Sequence, residues 1–167
     1  MPPRQSVVLV DTMAIKMAHD LHCWNAIRNR FQLHSVAKCV EEATRRSKSG
    51  EILVNRDAVQ LSAELTLGNV DRLKMADLLL IIGNNADLHE GELHLLTYAR
   101  EIPGAWFLCG PDNATVRAMK MLSLLDRMTS LESLGKSSGH RFKDKTLPHH
   151  FTDRWLLDRR MQVFLEA

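Results

Sequence analysis

"ADLHEGELHLLTYAREIPGAWFLCGPDNATVRAM", residues 86–119, holds a helical pattern, a turn, an apolar run and a second helical pattern in unbroken succession. Leu88, Glu92, Leu95, Leu96, Ala99 and Ile102 recur at steps of three and four, so they share one face of a helix over about residues 87–101. Glu90, His94, Thr97 and Glu101 fall on the polar face. Pro103 and Gly104 end the helix, "AWFLC" reads as a short buried strand, and Gly110 and Pro111 turn the chain into a helix over about residues 112–124.

The same alternation extends outward. "SVVLV" before Asp11 is a β-branched, all-apolar run, the pattern of a strand covered on both faces in a parallel sheet. Residues 12–31 are helical in character with a break expected near 25–29. "HSVAKCVEEATRRSKSG" predicts an amphipathic helix capped by Ser35 and stopped at Gly50. "EILVN" predicts a short strand or an extended connection, residues 56–67 a helix, "VDRLKMADLLLIIGNN" another, and "DRMTSLESL" a closing strand and helical turn. Repeated β/α units place the chain in the α/β class, with a mostly parallel central sheet between helical layers. Residues 136–167 differ in composition: "GKSSGHRFKDKTLPHH" reads as a mobile basic loop. "FTDRWLLDRRMQVFLEA" reads as a terminal helix that offers Phe151, Trp155 and Leu156, with Phe164 as a further candidate, for docking on its own core or on another subunit. The expected division is therefore a domain over 1–135 and a helical extension over 136–167.

In an open parallel sheet, ligands collect beyond the carboxyl ends of the strands. Asp11 directly follows the first strand and Asp112 lies three residues beyond "AWFLC", so both belong to that edge, although each is also well suited to cap the helix after it. Glu92 has no such ordinary explanation. It lies in the first turn of an apolar face, where a lone carboxylate is costly, and the helix N-terminus offsets only about 0.3–1 kcal/mol. In the earlier helix either Glu41 or Glu42 can join the set; Lys38, Arg45 and Arg46 stand within a turn, and spacing does not choose between the two acids. Carboxylates from four segments crowded together repel one another, and a hard divalent cation on oxygen ligands, Mg²⁺ or Mn²⁺, is the usual resolution.

Other chemistries lack their signatures. There is no GxxxxGK[ST], GxGxxG or GxSxG, and His19, His22, His149 and His150 read as surface histidines without a zinc motif. Cys23, Cys39 and Cys109 are widely spaced, as expected of reduced, buried thiols in a cytoplasmic protein. No secretory signal is expected, and no apolar run approaches the roughly 20 residues of a membrane span. The net charge of +2 is uneven, since residues 136–167 carry seven Lys and Arg against four Asp and Glu.

These motifs, in this order, resemble the PIN-domain nucleases found in toxin–antitoxin systems and in RNA processing. "VVLVDTMAI" looks like the family's opening strand and Asp-Thr pair. "CVEEATRR" resembles the helix with the second acid, favouring Glu42, and "HEGELHLLTYA" resembles the helix with the third, Glu92. "LCGPDNATVRAMKML" is similar to the strand, fourth acid and following helix, with Asp112 and Arg117, and "MTSLESL" to the closing strand and turn. The resemblance spans residues 6 to about 134. Met13 stands where the family often has a small polar residue, and Asn113 where related sequences can carry a second Asp.

The resemblance implies a PIN-like three-layer α/β/α fold and Mg²⁺- or Mn²⁺-dependent cleavage of RNA, with DNA also open as a substrate. It implies Asp11, Glu42, Glu92 and Asp112 as catalytic metal ligands, and Thr12 and Asn113 as supporting hydrogen-bonding groups. Arg117, Lys136, Arg141, Lys143 and Lys145 would contact the substrate backbone. The partners it implies are an inhibitor or antitoxin protein and a second copy of the chain, and no membrane. The competing expectation is a PIN-like module that binds protein or nucleic acid without catalysis, and a weaker one is another Mg²⁺-dependent phosphoryl-transfer enzyme.

Overall fold

The computed structural model of the 167-residue chain describes residues 1–46, 49–50, 54–83, 87–143 and 146–166. Its centre is β1 (Val7–Val10), in which Val8, Leu9 and Val10 are all buried. Successive side chains on a strand point to opposite faces, so burial of three in a row requires both faces to be covered. β1 pairs in parallel with β2 (Gln32–Val36) on one side and β4 (Trp106–Cys109) on the other, and β3 (Thr66–Gly68) pairs in parallel with β2. The order is β3-β2-β1-β4, an all-parallel α/β sheet flanked by helices in an arrangement consistent with three α/β/α layers.

Helical crossovers connect every pair of successive strands. α1 (Thr12–Asp20) and α2 (Trp24–Arg30) follow β1; α3 (Ala37–Thr44) and α4 (Ala58–Glu64) follow β2. α5 (Arg72–Ile82) and α6 (Glu90–Ala99) lead to β4, and α7 (Asn113–Met121), α8 (Leu131–Ser137) and α9 (Asp153–Leu165) complete the described helices. The chain builds outward from β1 to β3 and then returns to place β4 on the opposite side of β1. The switch point therefore lies between the carboxyl ends of β1 and β4, beside Val10 and its partner Cys109.

Several local expectations are corrected. β2 occupies the start of the segment expected to be one long helix. Ser35 is not a cap: it is a buried strand residue whose hydroxyl donates to the Val10 carbonyl at 2.8 Å, tying β2 to β1. α3 ends at Thr44 rather than Gly50, with Arg45 already extended. β3 lies within the helix expected over 56–67, because a sheet edge was available to pair Thr66 to Gly68 with His34 to Val36. The break in the first helical region is at residues 21–23, where His22 takes a φ of 56°, rather than at 25–29. Thr97, expected on the polar face of α6, is buried and satisfies its hydroxyl on the Leu93 carbonyl at 2.7 Å. The closing strand reduces to one parallel bridge, Met128 to Leu108, before α8.

Residues 51–53 of "EILVN" lie outside the described residues; Val54 is buried. The compositional boundary at residue 135 falls inside α8, and Phe151, Leu156 and Val163 join the same core as β1 and β4. Phe164, a candidate for docking on the core or on another subunit, is exposed and does not join the core, since helical phase turns Val163 inward instead. Among the described residues no helix is long and apolar enough to cross a membrane.

Candidate functional site

Asp11 stands where β1 passes into α1. Its backbone N–H donates to the Cys109 carbonyl at 3.3 Å, and its Oδ1 caps α1 by accepting from Ala14 N at 2.7 Å. Its other oxygen, Oδ2, is buried and has no hydrogen-bond partner among the described residues. Burial pushes the carboxyl up to about 8, and the neighbouring charges of Glu92 and Asp112 push the same way. Gly110 faces this oxygen across the switch point: a Cβ there would stand 3.2 Å from Asp11 Oδ2, so the missing side chain keeps space open beside the orphaned acceptor.

Asp112 begins α7, and its Oδ2 accepts from Ala114 N at 2.7 Å and from Thr115 N at 3.2 Å. It is a helix cap and a neighbour of Asp11 and Glu92 at once. Glu92 lies in the first turn of α6 and accepts from His89 N through Oε2 at 3.0 Å. Burial raises its carboxyl above the ordinary range, and Asp112 and Glu42 raise it further. Among the described residues it makes no ion pair. The inward phase of Glu92 therefore brings it to the other acids and not to a compensating arginine.

The choice between Glu41 and Glu42 is made by the packing of α3. Glu41 faces outward and pairs with Arg45 at 2.6 Å and with Lys38 at 3.6 Å. Glu42 is half-buried and accepts a hydrogen bond from Thr12 Oγ1 at 2.9 Å. Gly91 makes the approach feasible, because a Cβ at that position would lie 2.7 Å from Glu42 Oε2 and 3.3 Å from Cys39 Sγ.

Asp11, Thr12, Glu42 and Glu92 line one cleft of about 480 Å³, which Met13, Lys38, Arg45, His89 and Glu90 also border. Lys38 lies one turn before Glu42 on α3, so the helical phase that selects Glu42 also carries a cation to the cleft, and Arg45 borders the cleft from the extended residue that ends the helix. That spacing was the available signal for Lys38; Arg45 and His89 had none.

No family model, curated protein or solved structure matches this chain.

The other expected site residues are dispersed. Asn113 is exposed in the first turn of α7, and Arg117 is half-buried on the same helix, without an ion-pair partner among the described residues. Lys136 is engaged locally by Glu132 at 2.6 Å and Asp153 at 3.9 Å. Arg141 and Lys143 line a second cleft with Asp20 and Phe142, and Lys145 lies outside the described residues. His19 is not a surface histidine: its Nε2 is buried, its ring stacks on Trp24 at 4.7 Å, and burial lowers it to about 4. The three cysteines are free and buried.

Among the described residues no three His, Cys, Asp or Glu side chains form a ready-made cation group. Glu42, Glu92 and Asp112 each hold one oxygen in a hydrogen bond to the protein. The donor set nevertheless suits a hard cation. It contains oxygens only, including the buried Oδ2 of Asp11 that the described residues leave without a partner.

Proposed function

We propose that this chain is a PIN-like, divalent-cation-dependent endoribonuclease whose active site is the cleft where α1, α3 and α6 meet beyond the end of β1, with Asp112 in electrostatic reach of Asp11 and Glu92. The observation that carries the reading is the buried Asp11 Oδ2, without a partner among the described residues, at the switch point of a parallel sheet and in the electrostatic reach of Glu92 and Asp112. A structural carboxylate buried this way is costly unless something else satisfies it.

Asp11, Glu42, Glu92 and Asp112 are the residues that would hold Mg²⁺ or Mn²⁺, which supplies an activated water and offsets charge on the phosphate and leaving oxygen. Thr12 holds Glu42 in place, and the hydrogen bond from His89 N holds Glu92. Lys38 and Arg45 offer positive charge to the phosphates beside the acidic wall. Hydrolysis then adds water oxygen to phosphorus, breaks the bond to the leaving oxygen, and transfers the water proton to that oxygen. Free, buried thiols are in keeping with a reducing, cytoplasmic setting. The exposed Leu157, Met161 and Phe164 on α9 offer apolar surface to an inhibitor or antitoxin protein, or to a second copy of the chain.

A non-catalytic binding module is favoured by one observation: Met13, 45% exposed, borders the cleft directly beside Asp11 and Thr12. Incubation of the purified chain with single-stranded and structured RNA separates the readings. Cleavage that requires Mg²⁺ or Mn²⁺ and is lost in EDTA and in Asp11→Asn supports the nuclease. Absence of cation-dependent cleavage across varied RNA substrates supports the binding module.

A further inference from the structure

The second cleft, of about 360 Å³, lies where the end of α1 meets the segment that follows α8. Its floor contains the partly buried Leu21 and Phe142, and the Phe142 ring is held from behind, since a Cβ at Gly135 would fall 2.3 Å from its edge. His140 and Phe142 meet edge to face, with centroids 4.8 Å apart and planes at 69°, and form an aromatic corner. Arg141 and Lys143 are exposed at this corner, and among the described residues neither has an ion-pair partner. Asp20, also exposed there, offers a carboxylate acceptor and has no ion-pair partner among the described residues.

An aromatic corner, two cations without an ion-pair partner among the described residues and one carboxylate acceptor match the parts of a nucleotide. An aromatic corner takes the face of any base, exposed Arg and Lys side chains take its phosphate, and a carboxylate accepts from an exocyclic amino group. A volume near the lower end for small-ligand pockets suits one nucleotide unit rather than a duplex.

α1 connects this cleft to the acidic one. Met13, Lys16, Met17 and Asp20 recur at helical spacing on one side of α1, with Met13 at the acidic cleft and Asp20 at the second. At 1.5 Å per residue the two ends of that stripe are about 10 Å apart along the helix, and Lys16 stands between them without an ion-pair partner among the described residues.

We propose that the Asp20–Leu21–His140–Phe142 cleft is a nucleotide-binding site that holds one unit of a single-stranded RNA while another part of the strand reaches the acidic cleft along α1. The proposal rests on the nuclease reading for the second end of that strand, and names single-stranded RNA as its substrate class. The site itself uses none of the four acids.

The test measures binding by fluorescence anisotropy in EDTA, so that no cleavage can occur, using the full chain, a labelled RNA octamer, a duplex of the same sequence, and AMP and GMP as competitors. Arg141→Ala/Lys143→Ala changes two exposed side chains, and His140→Ala removes one wall of the corner; thermal melts check that each variant is folded. The expected result is octamer binding that is tighter than duplex binding, weakened about ten-fold or more in both variants. Octamer affinity unchanged in the double variant overturns the proposal. A mononucleotide that competes at this cleft as tightly as the octamer assigns the site to a free nucleotide and overturns the strand assignment. Cation-dependent cleavage with unaltered binding in the variants sinks this proposal and leaves the nuclease standing; variant-sensitive binding without any cleavage does the reverse.

Discussion

Thr12 Oγ1 donates to Glu42 Oε2 at 2.9 Å, joining the first residue of α1 to the middle of α3. The bond links the strand that presents Asp11 to the helix that supplies the second acid, so two elements distant in sequence share one geometry. Thr12→Val removes the donor and keeps the shape. Cleavage of RNA should fall about ten-fold while stability changes by about 1 kcal/mol or less, and Thr12→Ser should restore most of the activity. Equal kcat/KM for wild type and Thr12→Val would remove Thr12 from the working site.

Asp11 makes stability depend on pH in a defined direction. Its carboxyl ionises near 3.8 in an unfolded chain and at about 8 when folded, so the folded state prefers the proton. The stability it contributes is complete below about pH 3.8 and is lost as the pH rises through about 8. In EDTA, Asp11→Asn should flatten this decline and leave the protein more stable than wild type at pH 8, by roughly 1–3 kcal/mol. Mg²⁺ should raise the wild-type melting temperature more than that of Asp11→Asn. Parallel melting curves for the two proteins between pH 5 and 9 would contradict the burial of an uncompensated acid.

His19 acts in the opposite sense. Burial, with the nearby Arg56 charge, lowers it from 6.5 to about 4, so it stays neutral in the folded protein after an unfolded chain would have taken up a proton. Stability from this group is present above pH 6.5 and is lost as the pH falls through about 4. Because the side chain is partly exposed, the loss should be on the order of 1 kcal/mol. Denaturation midpoints of wild type and His19→Gln, compared from pH 7 to 4, should converge; a constant gap excludes the assignment.

Two glycines should fail differently when given a methyl group. At Gly91 the new Cβ meets the flexible end of Glu42, which must leave Thr12, so Gly91→Ala should reduce cleavage more than stability. At Gly68 the Cβ would fall 2.2 Å from the Tyr98 ring, which is held by its hydroxyl against His34 Nδ1 at 2.8 Å. Gly68→Ala should therefore cost about 1–3 kcal/mol in urea denaturation. Identical urea midpoints for Gly68→Ala and wild type would refute that packing.

The α/β class, the strands beginning near Val7 and Trp106, and the inward turn of Glu92 were written in local pattern. Burial on both faces leaves an all-apolar run, and a helix repeats its apolar face every three to four residues. β2 and β3 were not written that way. "QLHSV" and "TLG" are strands because an edge of β1, and then of β2, was available to pair their backbone groups, which no local periodicity records. Ser35 illustrates the limit: by sequence a good cap, by tertiary structure a buried donor to Val10.

Asp11 and Asp112 were legible as residues at a sheet edge, but only the strand order, with β4 beside β1, brings them to one switch point. Glu42 rather than Glu41 was decided by its contact with Thr12, across a gap that sequence spacing does not measure. The candidate acids were thus legible in the sequence, with the choice of Glu42 over Glu41 left to the packing. The cleft that Asp11, Glu42 and Glu92 share, the buried oxygen of Asp11 left without a partner among the described residues, and the cations Lys38 and Arg45 beside it belong to the packing of helices on the sheet, because charge and solvent exclusion act through space and not along the chain.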